Sequence, residues 1–202
     1  MNGGFVPILE TPSKGGLMGQ RKAFVLESRI IMDYLDAEFS TIARCGSLYD
    51  NDPLQRAEQE MLMAKTDQLA SVLYGVLMYR AQDKASMATL TKVLDYMNLL
   101  LQNSSTDYFL GKERYSMVDL YAFPFVSRLF YLKDSALHAM YEQFALEDRY
   151  PFLFKWHKTI RAQPELNDGK AIIPVSGFVN FLAELAPMPL GKKPPLRLPT
   201  KL

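Results

Sequence analysis

The 202-residue chain has one cysteine, Cys45, and two histidines, His138 and His157. A lone thiol cannot close an internal disulfide or form a dithiol redox centre, so an oxidised framework is excluded and a reducing compartment is expected. The histidines sit in separate segments without a recurrent ligand spacing, and no metal is expected. His157, beside Trp156 in an apolar stretch, reads as a packing residue with one nitrogen satisfied. Long apolar runs are also missing. The longest, Leu69 to Tyr79, contains Ser71 and Gly75 and falls well short of the ~20 residues of a membrane helix, so no membrane span is expected. Neither charge sign dominates: 23 basic against 22 acidic side chains leave +1. With no basic stripe, nucleic acid is not an expected partner. The N-terminus has neither a signal sequence nor an Arg-rich presequence pattern, so a cytoplasmic location is expected. Gly15, Gly16 and Gly19 lie in a hairpin loop and make no phosphate cradle. There is no internal repeat.

Apolar residues make up 49% of the chain and charged residues 22%, as in an ordinary globular protein. Phe5 to Leu9 and Ala23 to Leu26 are short apolar runs flanking a segment rich in Gly, Ser, Pro and Lys, which predicts a β-hairpin with a long loop. Beyond Ser28, Ile30, Ile31, Tyr34, Leu35 and Phe39 recur at helical spacing, and Arg29 and Asp33 are placed for a surface ion pair. Asp52 then offers an N-cap and Pro53 a first helical residue. From there Leu54, Ala57, Met61, Ala64, Leu69, Val72, Leu73, Val76 and Leu77 predict a long helix ending near Arg80. Met87 to Leu101 predict a second, packed antiparallel to it.

Ser116-x-x-Asp119 reads as a capping box, in which Ser116 bonds the amide of Asp119 and the carboxylate reaches back. Losing it through Asp119→Ala should cost about 1 kcal/mol or more. Pro124 should kink the helix that follows or leave a carbonyl for another partner. Further helices are predicted over 134–146, 151–163 and 175–185. After Ala186 the alternation of Pro with Lys and Arg predicts an extended tail. The pairs Asp33/Asp36 and Glu58/Glu60 read as solvated surface.

The junction at Glu27-Ser28 is the candidate site. Pro7 cannot donate to a sheet ladder, so the Val6 backbone is available to an extended ligand. The Ser28 hydroxyl and the first amides of the following helix suit a carboxylate, and Glu27 suits an ammonium group. A ligand such as an amino acid or a peptide end carries both charges. The plainer reading makes Ser28 only an N-cap and Pro7 only an edge-strand residue.

The run Phe5-Val6-Pro7-Ile8-Leu9-Glu10, followed by Val25-Leu26-Glu27-Ser28-Arg29-Ile30-Ile31-Met32-Asp33-Tyr34-Leu35, resembles the glutathione-binding half of a cytosolic glutathione transferase, most of all the omega class. Asp52-Pro53, Phe109-Leu110-Gly111 with Ser116 to Asp119, and Tyr150-Pro151 through Trp156 to Gln163-Pro164 are similar to successive helices of that family's all-helical domain. The resemblance covers nearly residues 5 to 185. It implies that Pro7 is a cis-proline, that Val6 pairs its backbone with the cysteinyl unit of glutathione, and that Glu27 and Ser28 hold the γ-glutamyl end. The family's catalytic Cys, Ser or Tyr follows a strand that precedes the proline strand. This sequence begins at the proline strand, so no catalytic residue is assigned, and Cys45, in the stretch matching the interdomain link, does not take that place.

The expected fold is mainly α. Residues 1–42 form a truncated thioredoxin-like remnant of β-hairpin plus helix, 43–186 a glutathione-transferase-type C-terminal helical bundle, and 187–202 a Pro-rich basic tail. The resemblance implies a protein that uses glutathione as co-substrate, either conjugating it to small electrophiles or reducing mixed disulfides with it. Arg21 or Lys22 would meet the glycyl carboxylate, and Tyr74, Met78 and Tyr79 would line the electrophile pocket. The rival expectation is a catalytically inactive scaffold or interaction subunit of a larger assembly. A bare hairpin is marginal in water, so a second copy or a protein partner is expected to cover its exposed edge.

Overall fold

The structure, a computed structural model, describes residues 7–12, 22–42, 46–78 and 84–166. It is mainly helical. Strands β1 (Ile8–Pro12) and β2 (Lys22–Leu26) lead into α1 (Ser28–Phe39), α2 (Pro53–Met78), α3 (Lys84–Gln102), α4 (Met117–Phe130), α5 (His138–Phe144), α6 (Leu146–Arg149) and α7 (Pro151–Arg161). Single 3-10 turns lie at Phe109–Gly111, Tyr131–Asp134 and Pro164–Leu166. The helix expected over 175–185, the tail 187–202 and Cys45 lie outside the described residues. The chain divides into two compact units, Met1–Arg56 and Ala57–Leu202.

In the first unit β1 and β2 pair antiparallel with Ile8 opposite Leu26 and Glu10 opposite Phe24. Strand alternation therefore puts Ile8, Phe24 and Leu26 on one face, and all three are exposed. Leu9, Thr11 and Val25 on the other face are half-buried. The Thr11 and Tyr34 hydroxyls bond at 2.8 Å and tie that face to α1. Helix α2 starts as its sequence dictates: Asp52 Oδ1 accepts the Leu54 amide at 2.8 Å, and Pro53 occupies the first helical position.

The second unit is organised around Trp156 on α7, which packs on Phe109 and Phe123 with ring centroids 5.2 and 6.1 Å apart. Helix α7 lies against α3, α4 and α6. The capping box of α4 is present, with the Ser116 amide donating to Asp119 Oδ2 at 2.8 Å. Asp119 also accepts the Phe109 amide at 3.1 Å and the Trp156 indole N–H at 2.7 Å. Burial pushes this carboxyl up while those donors pull it down. Gly111 has φ +64°, and a Cβ there would stand 2.9 Å from Ser105 Oγ, so the Phe109–Gly111 turn requires glycine.

Two expectations need correction, and two further positions repay attention. The helix expected over 134–146 is two: Ser135 accepts the Leu137 amide at 3.0 Å and delays the start of α5, and Ala145, at φ 46°, separates α5 from α6. Helix α4 continues through Pro124, which is exposed. His157 is buried among aromatic rings, as the packing reading expects, and its Nε2 is buried without a hydrogen-bond partner. Finally, the stripe Leu54, Ala57, Met61, Ala64 is exposed rather than core, because α2 buries Leu62, Met63, Thr66, Leu69 and Leu73 instead.

Candidate functional site

Helix α1 begins one residue earlier than a Ser28 N-cap would have it. Glu27 occupies the N-cap position, with no side-chain cap bond, and Ser28 is already helical. Ser28 therefore does not occupy the N-cap position expected of it. Both residues are exposed. The Glu27 carbonyl accepts the Ile31 amide at 2.9 Å and closes the first turn. The helix N-terminus thus opens beside two exposed polar side chains, one acidic and one hydroxylic, where first-turn amides and the helix dipole favour an anion.

Glu27 holds φ 69° and ψ 125°, a conformation that a residue with a Cβ adopts only under constraint. The constraint is visible on both sides. Upstream, Leu26 is fixed in the ladder opposite Ile8. Downstream, α1 is anchored by Ile31, which is buried, and by two carboxylates. Asp36 accepts Ser47 Oγ at 2.6 Å and the Leu48 amide at 2.7 Å, and Asp33 accepts the Tyr49 hydroxyl. Burial, then the Asp33 hydrogen bond, pushes the Tyr49 phenol up, and the Arg56 guanidinium lies 4.6 Å over its ring. Asp33 and Asp36 are therefore half-buried anchors and not the solvated surface expected of them. Their three-residue spacing, which places both on one helical face, was the available signal.

If the junction is strained, Glu27→Gly will protect the α1 amides from hydrogen exchange better than Glu27→Ala, by about fivefold, equivalent to about 1 kcal/mol. Equal protection in the two variants would show that the backbone there carries no strain.

Of the residues singled out from the sequence, Pro7, Glu27 and Ser28 fall in the described part, and Pro7 is exposed. Val6, Arg21 and Tyr79 lie outside it, as do the side chains of Lys22, Tyr74 and Met78. Among the described residues no group of three or more His, Cys, Asp or Glu side chains is placed to hold a metal. No helix among them is long and apolar enough to cross a membrane.

Comparison with known proteins adds the kinship. A family model described as the glutathione S-transferase C-terminal domain matches residues 67–168, about half of the chain. No curated protein matches the sequence. Among solved structures, the chain is similar to Leishmania TDR1, described as a unique trimeric glutathione transferase, with a TM-score of 0.63 and 18% identity. The match covers 81% of this chain and 35% of that one, so the chain spans about a third of that protein's length. At this identity the likeness is one of fold.

Proposed function

The chain belongs to the glutathione S-transferase family through its C-terminal domain, and on that premise we propose that it is a glutathione transferase-like protein, omega-like and cytoplasmic, that binds glutathione at the Glu27-Ser28 junction. The proposal gives Glu27 the γ-glutamyl ammonium, and Ser28 with the first α1 amides the γ-glutamyl carboxylate. The Val6 backbone beside Pro7 takes the cysteinyl unit. The observation that carries this reading is the Glu27 backbone at φ 69° and ψ 125°. A non-glycine residue held there points an exposed acid and an exposed hydroxyl off the same turn, and such conformations gather at ligand clamps. The division into a remnant of residues 1–42, a helical domain of 43–186 and a tail of 187–202 belongs to the same proposal.

Held in this way, glutathione would present its thiol to a second substrate. In conjugation the thiol gives its proton to solvent and the thiolate sulfur bonds to an electrophilic carbon as that carbon's bond to its leaving group breaks, the leaving group departing with the electron pair. In reduction its thiolate attacks a mixed disulfide and releases the other thiol. The chain's share in either reaction is to bind and orient the tripeptide.

Calorimetric titration of the full chain with glutathione tests the proposal. Binding is expected, and Ser28→Ala should weaken it about tenfold, the value of one charge-assisted hydrogen bond. An absence of heat, or heat indifferent to the substitution, would defeat it.

A second reading, a binding or scaffold subunit, draws on one observation. Ile8, Phe24 and Leu26 form an exposed apolar face on the hairpin, 47%, 59% and 41% accessible. A partner strand or a second copy would cover that face or its edge. Purification from the native source as a small free species with transferase turnover would dispose of this reading.

A further inference from the structure

Among the described residues two buried side-chain polar atoms have no hydrogen-bond partner in the protein, Ser127 Oγ on α4 and His157 Nε2 on α7. The two residues are 2% and 4% accessible. Buried polar groups are paired in all but a few cases, and these two orphans stand on helices packed against each other, so they call for one cause.

Their placement brings them together. The His157 ring stacks on Phe123 at 5.4 Å and on Phe130 at 4.7 Å. Those two rings are seven residues apart on α4, a rise of about 10.5 Å, which is the room one imidazole needs between two stacked neighbours. The imidazole is therefore held as a slice in a slot on α4. Ser127 comes four residues after Phe123 and three before Phe130, so it occupies the same face of the helix, at the back of that slot. His157 enters from α7, and Nε2, on the side of the ring away from Cβ, leads toward Ser127. Elsewhere in the chain Thr66, Ser71 and Thr89 return their hydroxyls to carbonyls three or four residues back in their own helices, at 2.9–3.1 Å. Ser127 makes no such bond, which leaves its hydroxyl to the slot.

The chemistry of the pair selects the occupant. No hydrogen bond joins the two atoms directly. Burial lowers the His157 pKa to about 4, so at neutral pH the ring and the hydroxyl are both uncharged, and neither offsets the charge of a buried ion. A hydroxyl donates and accepts, whereas Nε2 of a neutral imidazole does one or the other according to the tautomer. Water serves either tautomer. It is also small enough to reach atoms closed to bulk solvent, and buried waters characteristically bridge polar groups of this kind.

We infer that one ordered water molecule bridges Ser127 Oγ and His157 Nε2, a polar link between α4 and α7 inside an aromatic contact. The site belongs to the helical unit and is independent of glutathione.

A crystal structure of the full chain tests the link directly, with one water expected within about 2.7–3.2 Å of both atoms. In solution the link should appear as coupling between the two residues. Ser127→Ala should raise the equilibrium constant for unfolding in urea, read by Trp156 fluorescence, about fivefold, the worth of one net hydrogen bond. In a His157→Phe background, where the link is already gone, the same substitution should leave that constant unchanged or lower it. A slot without water, a direct hydrogen bond between Ser127 and His157, a Ser127→Ala variant as stable as the wild type, or an equal loss in the two backgrounds would overturn the inference.

Discussion

Replacing Asp119 by alanine is expected to destabilise the helical unit by about 4 kcal/mol, well beyond the loss of an ordinary helix cap. The sequence suggests a capping box and a cost near the usual ~1 kcal/mol. The structure shows why the cost is greater. The carboxylate is fully buried and accepts from three elements at once: Ser116 at the start of α4, the Phe109 turn, and the Trp156 indole on α7. Truncation leaves three buried N–H donors without an acceptor, each a desolvation cost of about 1–3 kcal/mol before relaxation. Trp156 is the single tryptophan of the chain, so its fluorescence during urea unfolding reports on this unit. Asp119→Asn should cost about half as much. One oxygen can still serve Phe109 and Trp156, while the amide nitrogen meets the Ser116 N–H. A loss below about 1 kcal/mol for the alanine variant would mean that the helix is started by something else.

The second large effect is a dependence on pH carried by His157. Its ring lies between Phe123 and Phe130, with centroids 5.4 and 4.7 Å away, and Tyr131 meets it edge-on. Burial, and then the Arg161 guanidinium on the same helix, lower its pKa to about 4. A histidine in the unfolded chain titrates near 6.5. Between those values the unfolded state binds a proton that the folded state refuses, so stability is complete above about pH 6.5 and is lost as pH falls toward 4. The slope is about 1.4 kcal/mol per pH unit, or about 2 kcal/mol between pH 6.5 and 5. His157→Phe, which fits between the same two rings, should remove that part of the acid sensitivity. Parallel stability profiles for the variant and the wild type would contradict the assignment.

Features governed by neighbours in sequence were legible before the structure was known. Asp52-Pro53 starts α2 and Ser116-x-x-Asp119 starts α4 because caps act over three or four residues. What the sequence hid are contacts made across the fold. Helix α7 follows Tyr150, which cannot cap it; Asn98 on α3 does so, its Oδ1 accepting the Phe152 and Leu153 amides at 3.1 Å each. Nothing near Tyr150 announces a cap supplied by another helix. The same holds for the reach of Asp119 to Trp156. Helix α2 misled for a different reason: Leu, Met and Ala populate two of its faces, and periodicity cannot tell which one the core takes. At the junction the residue types at Glu27 and Ser28 are what suggest the proposed site. The positive φ of Glu27 left no trace, since glycine is the residue that usually signals such a backbone.

The central claim is that the turn from β2 into α1 receives glutathione. The most direct measurement is a nuclear magnetic resonance titration of the full, isotope-labelled chain with glutathione, read at assigned backbone amides. The account predicts saturable shifts centred on Glu27, Ser28 and the first turn of α1, abolished or displaced to higher concentration in Ser28→Ala. Saturating glutathione that leaves those amides in place, or moves only residues of the helical unit, would contradict it.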